Sequence, residues 1–95
     1  MEFLLIHKAV GVIPPDMMKT GVEMGKALMA KPGDFVPGGK LKSSYAARGI
    51  LMIVCLWDVP KVDSLMPLME QMKLVGWNTD IIPVEKTDAW LSKLG

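Results

Sequence analysis

The sequence predicts an α+β domain with the order strand, helix, strand, strand, helix, strand, followed by a short helical tail. Three observations predict it. Two long apolar runs, residues 3–12 and 50–59, read as strands buried on both faces. Two other segments, each bounded by Pro or Gly, carry apolar residues at helical spacing. All of this falls within 95 residues, the size of one domain, with no linker and no repeat beyond a rough symmetry of the two halves. Residues 1–95 are therefore read as a single domain.

The first run, FLLIHKAVGV, is closed by Pro14-Pro15. Pro15 or Asp16 then opens a helix, because proline suits the first turn and a carboxylate suits its positive end. Met17, Gly21, Met24 and Leu28 recur at helical spacing, with Lys19, Glu23 and Lys26 on the other side. Gly21 and Gly25 each cost a helix about 1 kcal/mol relative to Ala. Close approach to a sheet is the expected reason for them.

Residues 31–40 (KPGDFVPGGK) hold two prolines and three glycines and read as a loop. A short strand follows at 41–46, a tight connection at 47–49, and the second long strand at 50–59. The next helix starts near Asp63 or Ser64, because Pro67 is tolerated only in a first turn. Val62, Leu65, Met69, Met72 and Gly76 mark its inner side, and Gly76 stops it. The last strand, 78–85, contains Pro83 and so belongs at a sheet edge. Thr87-Asp88 caps a terminal helix carrying Trp90, Leu91 and Leu94. Together these make the split βαβ, or ferredoxin-like, plan: a four-stranded antiparallel sheet with two helices on one face.

Composition excludes several functions. The charge is +1, from 11 basic and 10 acidic residues, so no strong field attracts nucleic acid or an anionic membrane. The 51% hydrophobic content excludes disorder. The longest strongly apolar run, 50–57, falls far short of the roughly 20 residues that span a bilayer. One cysteine and one histidine leave no basis for a disulfide framework or a Cys/His metal cage, and no cofactor motif is present. Residues 33–40 (GDFVPGGK) depart from a phosphate loop in lysine position, in Leu41, and in leading to a strand. The segment suits a flap or a plain connection. The start, Met1-Glu2-Phe3, lacks a signal peptide's basic region, and single-cysteine usage fits a cytoplasmic setting.

The sheet has two apolar faces. Phe3, Leu5, His7 and Ala9 alternate with Leu4, Ile6, Lys8 and Val10; Leu51, Ile53, Cys55 and Trp57 alternate with Ile50, Met52, Val54 and Leu56. Two helices cover one face. The other predicts a homodimer with a second sheet packed against it.

The segment Trp57-Asp58-Val59-Pro60-Lys61-Val62-Asp63-Ser64-Leu65, with the later Asp80-Ile81-Ile82-Pro83-Val84, resembles the second half of muconolactone isomerase-like proteins of the dimeric α+β barrel group. The resemblance implies a ferredoxin-like dimer. That group includes isomerases, cofactor-independent monooxygenases, dehalogenases, stress-response barrels and members of no known activity. No catalytic residue carries over.

The candidate catalytic residue is His7, of the one side-chain type that titrates near neutrality when unperturbed, which could move a proton within a lactone-like or enol substrate. The alternative is a hydrogen-bonded core histidine. Tyr45 could donate to an oxyanion and Arg48 could grip a carboxylate, against the alternatives of an edge-strand aromatic and a solvated turn. Trp57 could give an aromatic ligand a flat wall, or simply pack. Asp58 reads as a cap or turn residue, and Cys55 as an inert buried thiol. The expected activity is small-molecule binding, with isomerisation of a hydrophobic or carboxylated ligand. The alternatives are a non-catalytic ligand-binding or assembly module and a cofactor-independent oxygenase.

Overall fold

The computed structural model describes residues 1–95. The elements are β1 (Glu2–Ala9), α1 (Pro15–Ala30), β2 (Lys40–Ala46), β3 (Met52–Asp58), α2 (Met66–Leu74), β4 (Trp77–Val84) and α3 (Thr87–Lys93), with short 3-10 turns at Pro32–Asp34 and Val62–Leu65. The four strands form one antiparallel sheet in the order β2-β3-β1-β4. The two runs with apolar residues on both faces are thus central and adjacent, and the Pro83 strand lies at an edge. A central strand needs both faces dry and every N–H paired, which excludes proline. This is a ferredoxin-like α+β fold.

Register decides which side chains share a face. Phe3 pairs with Trp57, Leu5 with Cys55 and His7 with Ile53; on the other flank His7 pairs with Thr79. These residues lie beneath the helices, where Phe3, Leu5, His7, Cys55 and Trp57 are all buried. Leu4, Ile6, Val54 and Leu56 lie on the opposite face and are half-buried. In β2 a register shift between Leu41 and Ser43 puts Ser44 beside Cys55 and Tyr45 beside Val54. Lys42, 4.0 Å from Glu2, follows the open side.

Several boundaries differ from the sequence reading, each for a local reason. β1 ends at Ala9, short of Val12, because Gly11 turns at φ 63° and leaves Val10 and Val12 exposed. Ile50 and Leu51 belong to the β2–β3 connection, where Gly49 turns at φ 84° and the Met52 N–H donates to the Ile50 carbonyl. The chain reverses there, so both side chains are exposed. Next, α2 starts only at Met66, after the 3-10 turn, with Pro67 in its first turn. That delay rotates its inner face onto Leu65, Leu68, Met72 and Val75, all buried, in place of Val62 and Met69. Finally, Pro32–Asp34 puts one helical turn into the expected loop, and Val36 beyond it is fully buried. Gly76 does end α2, at φ 89°. That left-handed conformation suits glycine, and a Cβ there would also press on Met17 Sδ at 3.2 Å.

The two main helices sit differently on the sheet. α2 packs closely on β4, whereas α1 makes no comparably close approach to any strand. α3 carries Trp90 and Leu91, with Leu94 just past its end, all half or more exposed. It is held by Lys93 Nζ donating to Glu85 Oε2 at 2.6 Å. The molecule extends 51 Å along its longest axis, with a radius of gyration of 14.3 Å; a compact chain of this length would have about 12 Å.

Candidate functional site

Because α1 stands off the sheet, a cavity of about 390 Å³ opens beneath it. That volume lies within the range of small-molecule sites. One wall is α1, where Met18, Gly21, Val22, Gly25, Leu28 and Met29 repeat at the helical period. The facing wall is the sheet: His7 from β1, Ser44 and Ala46 from β2, and Ile53 and Cys55 from β3. Met72, Val75 and Trp77 close the α2 end.

His7 is the polar centre of this cavity and is 1% exposed. β1 alternation sends it under the helices, and its neighbours on both flanks are uncharged. Its Nδ1 lies 2.7 Å from Thr79 Oγ1 on β4, which fixes the ring plane. Its Nε2 is buried and has no hydrogen-bond partner within the chain. Desolvation holds its pKa down at about 4, from an ordinary 6.5, so the ring is neutral at physiological pH. The tautomer at the Thr79 contact sets what Nε2 offers. With Nδ1–H donating to Thr79, Nε2 offers a lone pair; with the threonine hydroxyl donating, Nε2 carries a proton to give.

The second polar pair is Ser44 Oγ with Cys55 Sγ, 3.3 Å apart. Burial pushes the Cys55 thiol up, and the Ser44 hydrogen bond opposes that shift. A buried thiol of raised pKa is a poor nucleophile. Ser44 was not singled out from sequence. Its signal, a small polar residue in an otherwise half-exposed edge strand, acquires meaning only once the register sets it beside Cys55.

Of the four residues expected to form a site, the structure puts only His7 on the cavity. Tyr45 is 73% exposed on the opposite sheet face, because the β2 register pairs it with Val54. Arg48 is exposed in the β2–β3 connection. Trp57 shares the helix-covered face but sits two pairs farther along, fully buried in the core, with its Nε1 unpartnered. It does not line the cavity. Tyr45, Arg48 and Trp57 therefore do not converge with His7 in one chain. Asp58 caps no helix either; it accepts from the Met1 ammonium at 3.1 Å, which lowers its pKa. No helix is long and apolar enough to cross a membrane.

The fold has a counterpart among solved structures. SCO4226 from Streptomyces coelicolor A3(2) matches with a TM-score of 0.55 over 92% of this chain and 99% of that one. The sequences are 17% identical, so the likeness is one of fold. No protein-family model and no curated protein matches the chain.

Proposed function

We propose that this protein is a homodimer that binds a small, uncharged, largely apolar molecule beneath α1, with His7 Nε2 as its hydrogen-bond partner. The observation that carries this reading is the fully buried His7 ring on the wall of a 390 Å³ cavity, with Nε2 unpartnered. A buried polar nitrogen without a partner costs free energy of the order of 1–3 kcal/mol. A ligand group that pairs with it recovers that cost. Of the 15 lining residues 11 are hydrophobic and none is Lys or Arg, so a carboxylate entering the cavity would meet no countercharge. This narrows the expected ligand to uncharged molecules.

Support for the dimer comes from what one chain leaves uncovered. Only 13 of 95 residues are buried, and the sheet face carrying Leu4, Ile6, Val54 and Leu56 has no helix over it. A second sheet on that face would remove several large aliphatic side chains from water, each contributing on the order of 1.5–3 kcal/mol if fully buried.

Proton transfer is the second reading, favoured by the neutral, Thr79-oriented ring. It agrees with the resemblance to muconolactone isomerase-like proteins, but with an uncharged enol or ketone in place of a carboxylated lactone. Nε2 would take a proton from the carbon next to a carbonyl, and the resulting imidazolium would return it two carbons along, moving the double bond into conjugation. Ser44 is the nearby hydroxyl that could face the enolate oxygen.

His7 is the only histidine, so its ring signals in an NMR spectrum are unambiguous. Titration with phenol should shift them with saturation at millimolar concentration or below. Unchanged ring signals across phenol and 3-cyclohexenone would refute the binding site. Conversion of 3-cyclohexenone to its conjugated isomer, lost in His7→Asn, would establish the proton-transfer reading; binding without conversion would leave a carrier.

A further inference from the structure

The two glycines of α1 are weak helix formers in the interior of a 16-residue helix, and both line the cavity. Their usual justifications fail here. Neither has a positive φ. Close packing does not explain them, because a Cβ on Gly25 would meet nothing within 4 Å. A Cβ on Gly21 would make only ordinary contact with Val75, at 3.7 Å. The fold would thus accept alanine at Gly25 without moving any neighbour.

What these glycines do is leave a strip of helix backbone bare along one wall. On the facing wall β2 contributes two small side chains, Ser44 and Ala46. The remaining lining is larger, with Leu28 and Ile53 among it, together with Trp77 and the flexible methionines Met18, Met29 and Met72. The bare helix strip and the two small β2 side chains describe a slot among these larger residues. Methionine sulfur and a tryptophan ring both interact favourably with aromatic ligands. Independently of the glycines, His7, whose buried Nε2 has no partner in the chain, lines the same cavity.

We infer that the ligand is a planar aromatic molecule with one hydroxyl or ring N–H, lying along the Gly21–Gly25 strip with that group on His7, and that Gly25 sets its thickness. This rests on the binding reading above and names its ligand class. A methyl at Gly25 would project into the slot and hold a flat ring away from the helix.

The test measures phenol, indole and cyclohexanol binding to the wild-type protein and to Gly25→Ala by His7 ring shifts, with thermal midpoints of both. Phenol and indole should bind the wild type, with cyclohexanol at least about tenfold weaker because a puckered ring does not fit the slot. Gly25→Ala should raise the midpoint by about 4–8 °C while weakening indole about tenfold. Equal binding of phenol and cyclohexanol, or unchanged indole affinity in Gly25→Ala, would overturn the flat-ligand inference and leave the cavity reading standing. A lower midpoint or failure to fold in Gly25→Ala would show that the fold itself requires the glycine, and would also overturn it. No binding of any of the three probes to the wild type would remove the binding site, and this inference with it.

Discussion

Removing the one titrating group beneath α1 should change how stability depends on pH, by an amount the structure sets. His7 has a folded pKa of about 4 and an unfolded value near 6.5, with desolvation as the cause. A depressed histidine pKa means that the unfolded chain takes up the proton first. Stability from this group is therefore fully present above pH 6.5. It is lost as pH falls toward 4, at about 1.4 kcal/mol per pH unit, reaching a total of about 3 kcal/mol. The only other titratable residue lining the cavity is Cys55, whose raised pKa keeps it protonated throughout this window. The assay is urea unfolding of wild type and His7→Gln at intervals from pH 7.5 to 4. Carboxylate titrations are common to both proteins and cancel in the difference. Wild type should lose about 3 kcal/mol relative to His7→Gln across the range. A difference that stays flat, or that moves in favour of wild type on acidification, would refute a buried neutral imidazole.

Other substitutions separate the two sheet faces and the packing beneath them. Val54→Asp, on the open face, should lower the sedimenting mass to that of one chain while circular dichroism stays native; Ile53→Asp, on the cavity wall, should reduce stability without that separation. Gly39→Ala should destabilise by about 1–3 kcal/mol in chemical denaturation, because its Cβ would lie 2.5 Å from Cγ1 of the fully buried Val36 and 3.1 Å from the Val36 carbonyl oxygen. Cys55 should react with a soluble disulfide reagent far more slowly in the native protein than in urea, since it is 1% exposed and its thiol pKa is raised. Rapid native reaction would show that the cavity opens to solvent on that timescale.

The fold was legible because its signals are ones that burial enforces. Two-sided apolarity in β1 and β3 admits only central positions, and Pro83 admits only an edge. The errors arose where a local event changes phase. Apolar content made Ile50 and Leu51 look like strand, but Gly49 had already begun the turn. Apolar periodicity around Pro67 fits more than one helix start, and the 3-10 turn at Val62–Leu65 chose the start that buries Leu68. A pattern with a period of 3.6 cannot reveal a segment wound at 3.0 residues per turn.

The site was legible only within single strands. Alternation put His7 with Phe3 and Leu5, and the structure keeps them together. Grouping His7 with Tyr45 needed the β2–β3 register, which a one-residue slip inverts. The shift between Leu41 and Ser43 is such a slip, and it sends Ser44 rather than Tyr45 to the His7 side. The stronger lesson lies in α1. Helical glycines invite the reading that something in the chain comes close, and at Gly25 nothing does. Gly25 weakens its helix, touches nothing with a Cβ, and lines the same cavity as a histidine nitrogen without a partner, and the proposed ligand is what would use that space.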